Sequence, residues 1–406
     1  MNFSLTDCQN QALDAIERLH TRFPQGGGVL VINGWAGTGK TSLIRAIGDQ
    51  AGNILVLAPT GKAAVRVKEA AFVRASTIHR WLYKASEDPS TGEVLFTRSS
   101  LLDIEHPNYH SSIVDESSML SAEVWADLYE AALGLELNVI LIGDEFQLPP
   151  VDDAKNFSVF DPNFEADERV NLTHVLRQAM ESPILRAANA IREGINYTKE
   201  LSTLPLVMRD NVIDACVDAW SNGEPIICHK NETRHFINEA IRVKSGRILA
   251  IEDREPLLIV KNNYTLNIFN GEIFEIKHVL NNLGGVSIKN KWMSTACYVE
   301  FSLVELMNGD ECVIAHQQLA ERTDKIGHKT LQSQAKKLLR VLNSKKTTFV
   351  HSNYGYVISA HRAQGSQFQS GLVLMESSIR FGTLSGRRWA YTALTRFVDS
   401  VKICWY

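Results

Sequence analysis

One octapeptide, Gly34-Trp35-Ala36-Gly37-Thr38-Gly39-Lys40-Thr41, constrains this chain more than any other stretch. It fits the pattern G-x-x-x-x-G-K-[ST] in full. Before it stands Val29-Leu30-Val31-Ile32, an apolar run without alternation, which predicts a strand buried on both faces. After it, residues 41–50 predict a helix. A glycine-rich loop in that position can turn backbone N–H groups inward, and the helix N-terminus adds a dipole that favours anions. Lys40 would then reach the β- and γ-phosphates of a nucleotide, and Thr41 would hold Mg2+. A glycine turn that merely starts a helix gains nothing from lysine and threonine at those places.

The strand pattern repeats at 54–57, 113–114 and 139–142, with helical stretches between, which argues for a parallel sheet covered on both faces. Residues 83–110 are polar around the turn Asp88-Pro89-Ser90-Thr91-Gly92 and predict an inserted hairpin. A second α/β pattern begins near Ile184, with a strand at Ile226-Ile227-Cys228 and a helix over 232–243. It resumes at Val357-Ile358 and Leu372-Val373-Leu374-Met375. Between these, short strands and the turns Asn270-Gly271 and Gly284-Gly285 suggest a small all-β unit over 256–305. Residues 311–343 read as helical.

With 406 residues the chain suits several domains. Its net charge of −4 means that any groove for nucleic acid must be local. The six cysteines form no C-x-x-C pair and read as reduced, buried thiols, since zinc needs clustered ligands. The first twenty residues do not read as a signal peptide, and no apolar run approaches the ~18 residues of a membrane span.

Two acidic motifs follow strand ends, where parallel sheets bind ligands. Asp115-Glu116 comes after the strand at 113–114. Asp115 would complete the Mg2+ site, and Glu116 would orient or deprotonate the attacking water. Gly143-Asp144-Glu145-Phe146-Gln147-Leu148-Pro149-Pro150 follows the next strand, and Gln147 could sense the γ-phosphate.

Together these three segments resemble motifs I, II and III of superfamily 1 helicases, and the remaining motifs narrow the resemblance to the RecD-type and Dda-type branch. Leu5-Thr6-Asp7-Cys8-Gln9 resembles the Q motif, in which Gln9 would read the adenine edge. Leu57-Ala58-Pro59-Thr60-Gly61-Lys62-Ala63-Ala64 resembles motif Ia, and Ser76-Thr77-Ile78-His79 motif Ib. Leu172-Thr173-His174-Val175-Leu176-Arg177-Gln178 resembles motif IV. Ser359-Ala360-His361-Arg362-Ala363-Gln364-Gly365-Ser366 resembles motif V, and Tyr391-Thr392-Ala393-Leu394-Thr395-Arg396 motif VI. Trp35 stands where proline is frequent and Arg362 where lysine is; neither change removes a phosphate-loop N–H or a positive charge.

The resemblance implies an α/β fold of two RecA-like P-loop NTPase domains, carrying a small hairpin or wedge and a small β-barrel-like insert. The first motor domain would take 1–82 and 111–180, with the wedge at 83–110. The second would take 181–268 and 351–406, with the insert at 269–350. ATP would lie on Gln9, Gly34, Ala36, Gly37, Thr38, Gly39, Lys40, Thr41, Ser42 and Gly365, with Mg2+ on Thr41 and Asp115. Lys40, Asp115, Glu116, Gln147, Arg177 and Arg396 would carry hydrolysis, the two arginines facing the γ-phosphate from the cleft between the two domains.

The strand would run over Pro59, Thr60, Lys62, Thr77 and His79 on the first domain, and over Asn231, Ser359, His361 and Gln364 on the second. Arg66, Lys68, Arg74 and Arg80 crowd the same region, as strand contacts or as a solvated helix face. Trp81, Phe96 and Phe269 could stack on bases, though core packing is the commoner fate of such aromatics.

The function implied is an ATP-dependent DNA helicase moving 5′-to-3′ on single-stranded DNA and opening duplex junctions. It would be a cytoplasmic monomer without membrane contact, in the host cytoplasm if phage-encoded. It could meet single-strand-binding or replication proteins. An RNA-directed motor and an ATP-gated single-strand binder remain as alternatives.

Overall fold

The computed structural model describes residues 5–51, 54–71, 73–87, 94–104, 109–150, 157–176, 181–261, 263, 265–266, 268–288, 297–316, 328–341 and 348–406. Helix α1 (Asp7–Arg22) opens on a capping box, Thr6 accepting from Gln9 N and Gln9 from Thr6 N. Strand β1 (Val29–Gly34), helix α2 (Lys40–Ala51), β2 (Ile54–Ala58), α3 (Gly61–Ala71), β3 (Ala75–Thr77) and α4 (Ile78–Leu82) follow. A hairpin of β4 (Tyr83–Glu87) and β5 (Val94–Arg98) interrupts the unit. Then come β6 (Ser111–Val114), α5 (Ala122–Gly134), β7 (Asn138–Gly143) and β8 (Glu168–Leu172).

The first sheet has the order β3-β2-β6-β7-β1-β8, with every pairing parallel. Alternation along β1 explains its two covered faces. Leu30 and Ile32 pack with Ala12, Ile16 and Leu19 of α1 and with Leu43, Ile44 and Ile47 of α2. Val29 and Val31 pack on the other side with Leu128 and Ala131 of α5. Parallel register brings Asn33 beside Gly143, and Leu57 beside Val114. The phosphate loop, the motif Ia loop, Asp115-Glu116 and Gly143–Pro150 therefore leave one edge of one sheet.

The second unit holds α6 (Pro183–Glu193), α7 (Tyr197–Leu201), β9 (Leu206–Val207), α8 (Val212–Ser221), β10 (Ile226–Cys228) and α9 (Asn231–Lys244). Six further strands belong to a separate sheet. They are β11 (Pro256–Ile259), β12 (Ile273–Ile288), β13 (Cys297–Leu306), β14 (Glu311–Ala315), β15 (Thr348–Phe349) and β16 (Ser352–Tyr354). Helix α10 (His328–Val341) lies between β14 and β15. Their order is β15-β14-β13-β12-β11-β16, antiparallel except for β14 with β15. The chain then returns to the second unit through β17 (Val357–Ser359), α11 (Ala360–Ala363), β18 (Leu372–Met375), α12 (Leu384–Leu394) and β19 (Lys402–Trp405). The order there is β17-β10-β18-β19-β9, again all parallel.

Two boundaries differ from those expected. The β-rich sheet starts at Pro256 and closes at Tyr354, wider than 269–350, because β11 pairs with both β12 and β16 rather than with the parallel sheet. Residues 311–315, read as helical, are a strand, while His328–Val341 is helical as expected. Cys312, Val313 and Ile314 form a short apolar run that periodicity alone cannot assign.

Candidate active site and strand-binding surface

The phosphate loop is bent by glycine where it must be. Gly37 and Gly39 have φ of 83° and 78°, and a Cβ on Gly39 would fall 2.6 Å from Nε2 of Gln9. Side chains are excluded from such backbone, which lets N–H groups line a concave surface. Lys40 Nζ donates to the carbonyls of Gly34 and Trp35, at 2.6 and 3.2 Å, so its ammonium is parked on the loop. Thr38 is buried and its hydroxyl closes the loop onto Trp35 O at 2.8 Å. Ala36, Thr41 and Ser42 stay partly open beside it. Gln9 sits behind the loop. Its Oε1 accepts from Thr6 N at 2.9 Å, and its Nε2 donates to Gly39 O at 3.1 Å. In this state its amide braces the loop rather than presenting an edge to solvent.

Asp115 and Glu116 are both 2% exposed, at the end of β6. Glu116 takes a left-handed backbone, φ 52°, rare for a residue with a Cβ and characteristic of strained functional turns. Arg66 of α3 bridges the pair: its Nη2 lies 3.1 Å from Asp115 Oδ2 and 2.9 Å from Glu116 Oε1. Burial by itself would raise the Glu116 carboxyl, but Arg66, Arg396 and Lys40 hold it down to about 2. Asp115 goes the other way, raised by burial and by the charge of Glu116 against the pull of Arg66. Two neighbouring carboxyls pushed apart in this way can do different work.

Residues of the second unit enter the same cleft. The Tyr391 hydroxyl donates to Asp144 Oδ2 at 2.6 Å and accepts from Ala36 N of the phosphate loop at 2.8 Å. Thr392 Oγ1 accepts from Leu148 N at 3.1 Å, and Gln364 Nε2 donates to Leu148 O at 2.7 Å. Phe146 and Leu148 insert into the core of the second unit, and Phe146 meets the Tyr391 ring edge-on at 5.2 Å. Arg192 of α6 lies over the Trp35 ring, 3.3 Å from its centroid. Arg396 is buried, bonded to Thr392 O at 3.2 Å, within the field of Glu116 and Asp144. Arg177 lies outside the described residues.

The cradle fits a magnesium nucleotide. Glu116 Oε2 and Gln147 Oε1 are buried and find no hydrogen-bond partner among the described residues. Buried polar atoms left unpaired are costly, and an arriving water or ligand oxygen relieves them. The donors are carboxylate and hydroxyl oxygens beside a lysine, the chemistry that hard divalent cations and phosphates require. No group of three or more His, Cys, Asp or Glu side chains placed to hold a metal ion by themselves occurs among the described residues.

The strand residues divide. Pro59, Thr60, Thr77 and His79 lie at the sheet edge or on α4, partly or fully open to solvent. Asn231 is exposed at the start of α9, while Ser359 is buried at the end of β17 and His361 is partly open in α11. Lys62 is engaged elsewhere, its Nζ donating to Gly271 O of the β-rich insert at 2.7 Å. Gln364, 5% exposed, is spent between the two units. Gly365, with φ 75°, abuts Thr60: a Cβ there would lie 2.5 Å from Thr60 Oγ1. Trp81 is core, and Phe269 packs on Gly61. The side chain of Phe96 lies outside the described residues.

Sequence reasoning offered Arg66 only as a strand contact or a solvated face, whereas it pairs with Asp115 and Glu116; it quoted Asp144 and Tyr391 only within their motifs and did not name Arg192. Arg66 alone left a usable signal. It follows Lys62 by four residues on the helix after β2, the strand next to β6.

A family model described as an AAA domain matches residues 6–205. The chain is 35% identical over 397 residues to an ATP-dependent RecD2 DNA helicase of Deinococcus radiodurans, covering 92% of this chain and 46% of that one. It is 28% identical over 184 residues to the ATP-dependent DNA helicase RRM3 of Saccharomyces cerevisiae, covering 40% of this chain and 24% of that one. It thus spans less than half the length of these curated relatives. Among solved structures, a Pif1 helicase from Bacteroides in complex with ADP-AlF3 and ssDNA shares the fold. The TM-score is 0.55 at 16% identity, covering 99% of this chain and 92% of that one.

Proposed function

We propose that the chain is a superfamily 1 helicase of RecD type, an ATP-driven motor on single-stranded DNA; its motifs and its 35% identity to a RecD2 DNA helicase support this. It moves 5′-to-3′ and unwinds duplex DNA at single-strand junctions. One observation carries the reading: the second lobe reaches the phosphate loop of the first, through the Tyr391 hydroxyl on Ala36 N, and brings Arg396 toward Glu116.

In this reading Lys40 and the loop N–H groups bind the β- and γ-phosphates, and Gln9 braces the loop. Thr41 and Asp115 would hold Mg2+, which would supply charge neutralisation at the phosphate oxygens. Glu116, kept ionised, accepts a proton from the attacking water, and Gln147 orients that water. Arg396 stabilises the charge on the γ-phosphate from the opposite lobe, and Arg177 adds a second positive charge from the motif IV segment. Closure of the lobes moves Pro59, Thr60 and Lys62 relative to Ser359, His361 and Asn231. Nucleotide state thereby changes the grip on DNA, as differential affinity requires. No helix among the described residues is long and apolar enough to cross a membrane.

The test is hydrolysis with and without oligonucleotide, followed by unwinding of duplexes with a 5′ or a 3′ tail. Wild-type protein should be stimulated by single-stranded DNA and open only the 5′-tailed duplex. Lys40→Ala should lose stimulated turnover by at least about 100-fold while keeping its fold. Hydrolysis indifferent to oligonucleotide would end the motor reading, and stronger stimulation by matched RNA would redirect it to an RNA substrate.

A further inference from the structure

Arg66 has no part in the hydrolysis scheme above, yet it pairs with both of its carboxylates. Its guanidinium spans Asp115 and Glu116, the two carboxylates that hydrolysis needs free for metal and water. Its helix is the other half of the argument. Helix α3 begins at Gly61, directly after Pro59-Thr60, and its first turn is capped by Thr60 Oγ1 on Ala63 N at 3.2 Å. That turn is pressed by two separate parts of the chain. Gly365 of the second motor unit meets Thr60, Phe269 of the β-rich insert meets Gly61, and Gly271 accepts the Lys62 ammonium. Lys62 and Arg66 are four residues apart, on one face of a rigid helix and roughly 6 Å along its axis. A displacement at the first turn is therefore a displacement of the guanidinium.

We propose that Arg66 is the positioning residue through which the strand controls hydrolysis. Without a strand, it occupies Asp115 and Glu116 as a stand-in cation and keeps turnover low. When a strand takes Thr60 and Lys62 from their protein partners, α3 shifts and the carboxylates are released. The idea rests on the motor reading for its strand, but not for its stand-in cation.

Two measurements on the full chain test it, with Arg66→Ala and Arg66→Lys, the latter keeping a charge that cannot fork across two carboxylates. The first is turnover with and without single-stranded DNA. In Arg66→Ala the ratio of stimulated to basal turnover should fall about tenfold, because the basal rate climbs; the lysine variant should fall between. The second is Mn2+ affinity of the nucleotide-free protein, read by electron paramagnetic resonance. Bared of its guanidinium, the carboxylate pair should bind Mn2+ at least about tenfold more tightly than in wild type. A purely structural arginine would depress both rates together and leave the ratio alone, and that outcome overturns the proposal. So does an unchanged Mn2+ affinity in a variant that melts like wild type. Should wild type itself show no stimulation, the motor reading fails, and the manganese measurement still decides whether Arg66 stands in for the metal.

Discussion

Tyr391 shows how much a single hydroxyl can be asked to hold. It donates to Asp144, which is fully buried, and accepts from a phosphate-loop N–H of the other lobe. Burial raises the Asp144 carboxyl, against the opposing pull of Lys40 and the Tyr391 bond. A carboxyl raised in the folded state binds more protons there than in the unfolded chain, so stability falls as pH climbs from the ordinary carboxylate value to the raised one. In Tyr391→Phe the raising is greater and the decline longer. Urea denaturation should show a loss of about 1–3 kcal/mol at neutral pH that shrinks on acidification through the carboxylate range. A loss independent of pH would mean that Asp144 is not the group affected. The positions of Lys40, Thr41, Asp115 and Glu116 just beyond β1 and β6 were legible in the sequence, because apolar strand runs stand directly before them. The partners of Tyr391 and Arg66 were not. Ala36 lies 355 positions from Tyr391, and Asp115 lies 49 from Arg66, so only the closed fold makes them neighbours.

At the scale of elements, the parallel strands were readable because burial on both faces writes continuous apolar runs, as in β1, β2 and β7. The β-rich insert was harder, since Pro256–Ile259 is equally apolar and buried yet pairs antiparallel. The hairpin β4–β5 was legible from its turn residues, and its base is anchored. Tyr83 donates to Asp127, and Arg98 pairs with Glu130 at 2.6 Å, both partners on α5. An anchored hairpin can bear load, which suits a wedge. Opening a base-pair step costs on average about 1.4 kcal/mol, so a wedge that supplies one step's worth is worth about tenfold in rate. Replacing residues 88–93 by Asn-Gly should therefore slow unwinding about tenfold and leave strand-stimulated hydrolysis unchanged. Unwinding at the wild-type rate would favour a strand binder that remodels without a wedge.

Across the whole molecule, the lobes are joined by an apolar plug and a few polar bonds. Phe146 and Leu148 of the first lobe sit in the core of the second, while Gln364 and Thr392 grip the backbone of Leu148. Interdomain contacts of this kind permit relative motion by default. The residue that decides between two accounts of the cleft is Gln364, whose motif V position suggests a strand ligand but whose amide is committed to Leu148 O. Gln364→Leu separates them. If the amide serves closure, strand affinity without nucleotide should change little. The difference between affinities with and without a non-hydrolysable ATP analogue should instead collapse, forfeiting a coupling of about 1–3 kcal/mol. If it serves as a strand ligand, affinity should drop equally in both states and the difference should survive. Fluorescence anisotropy on a labelled oligonucleotide reads both. The buried amide makes collapse the expected result, because a group that bridges lobes in one state contributes free energy to that state alone.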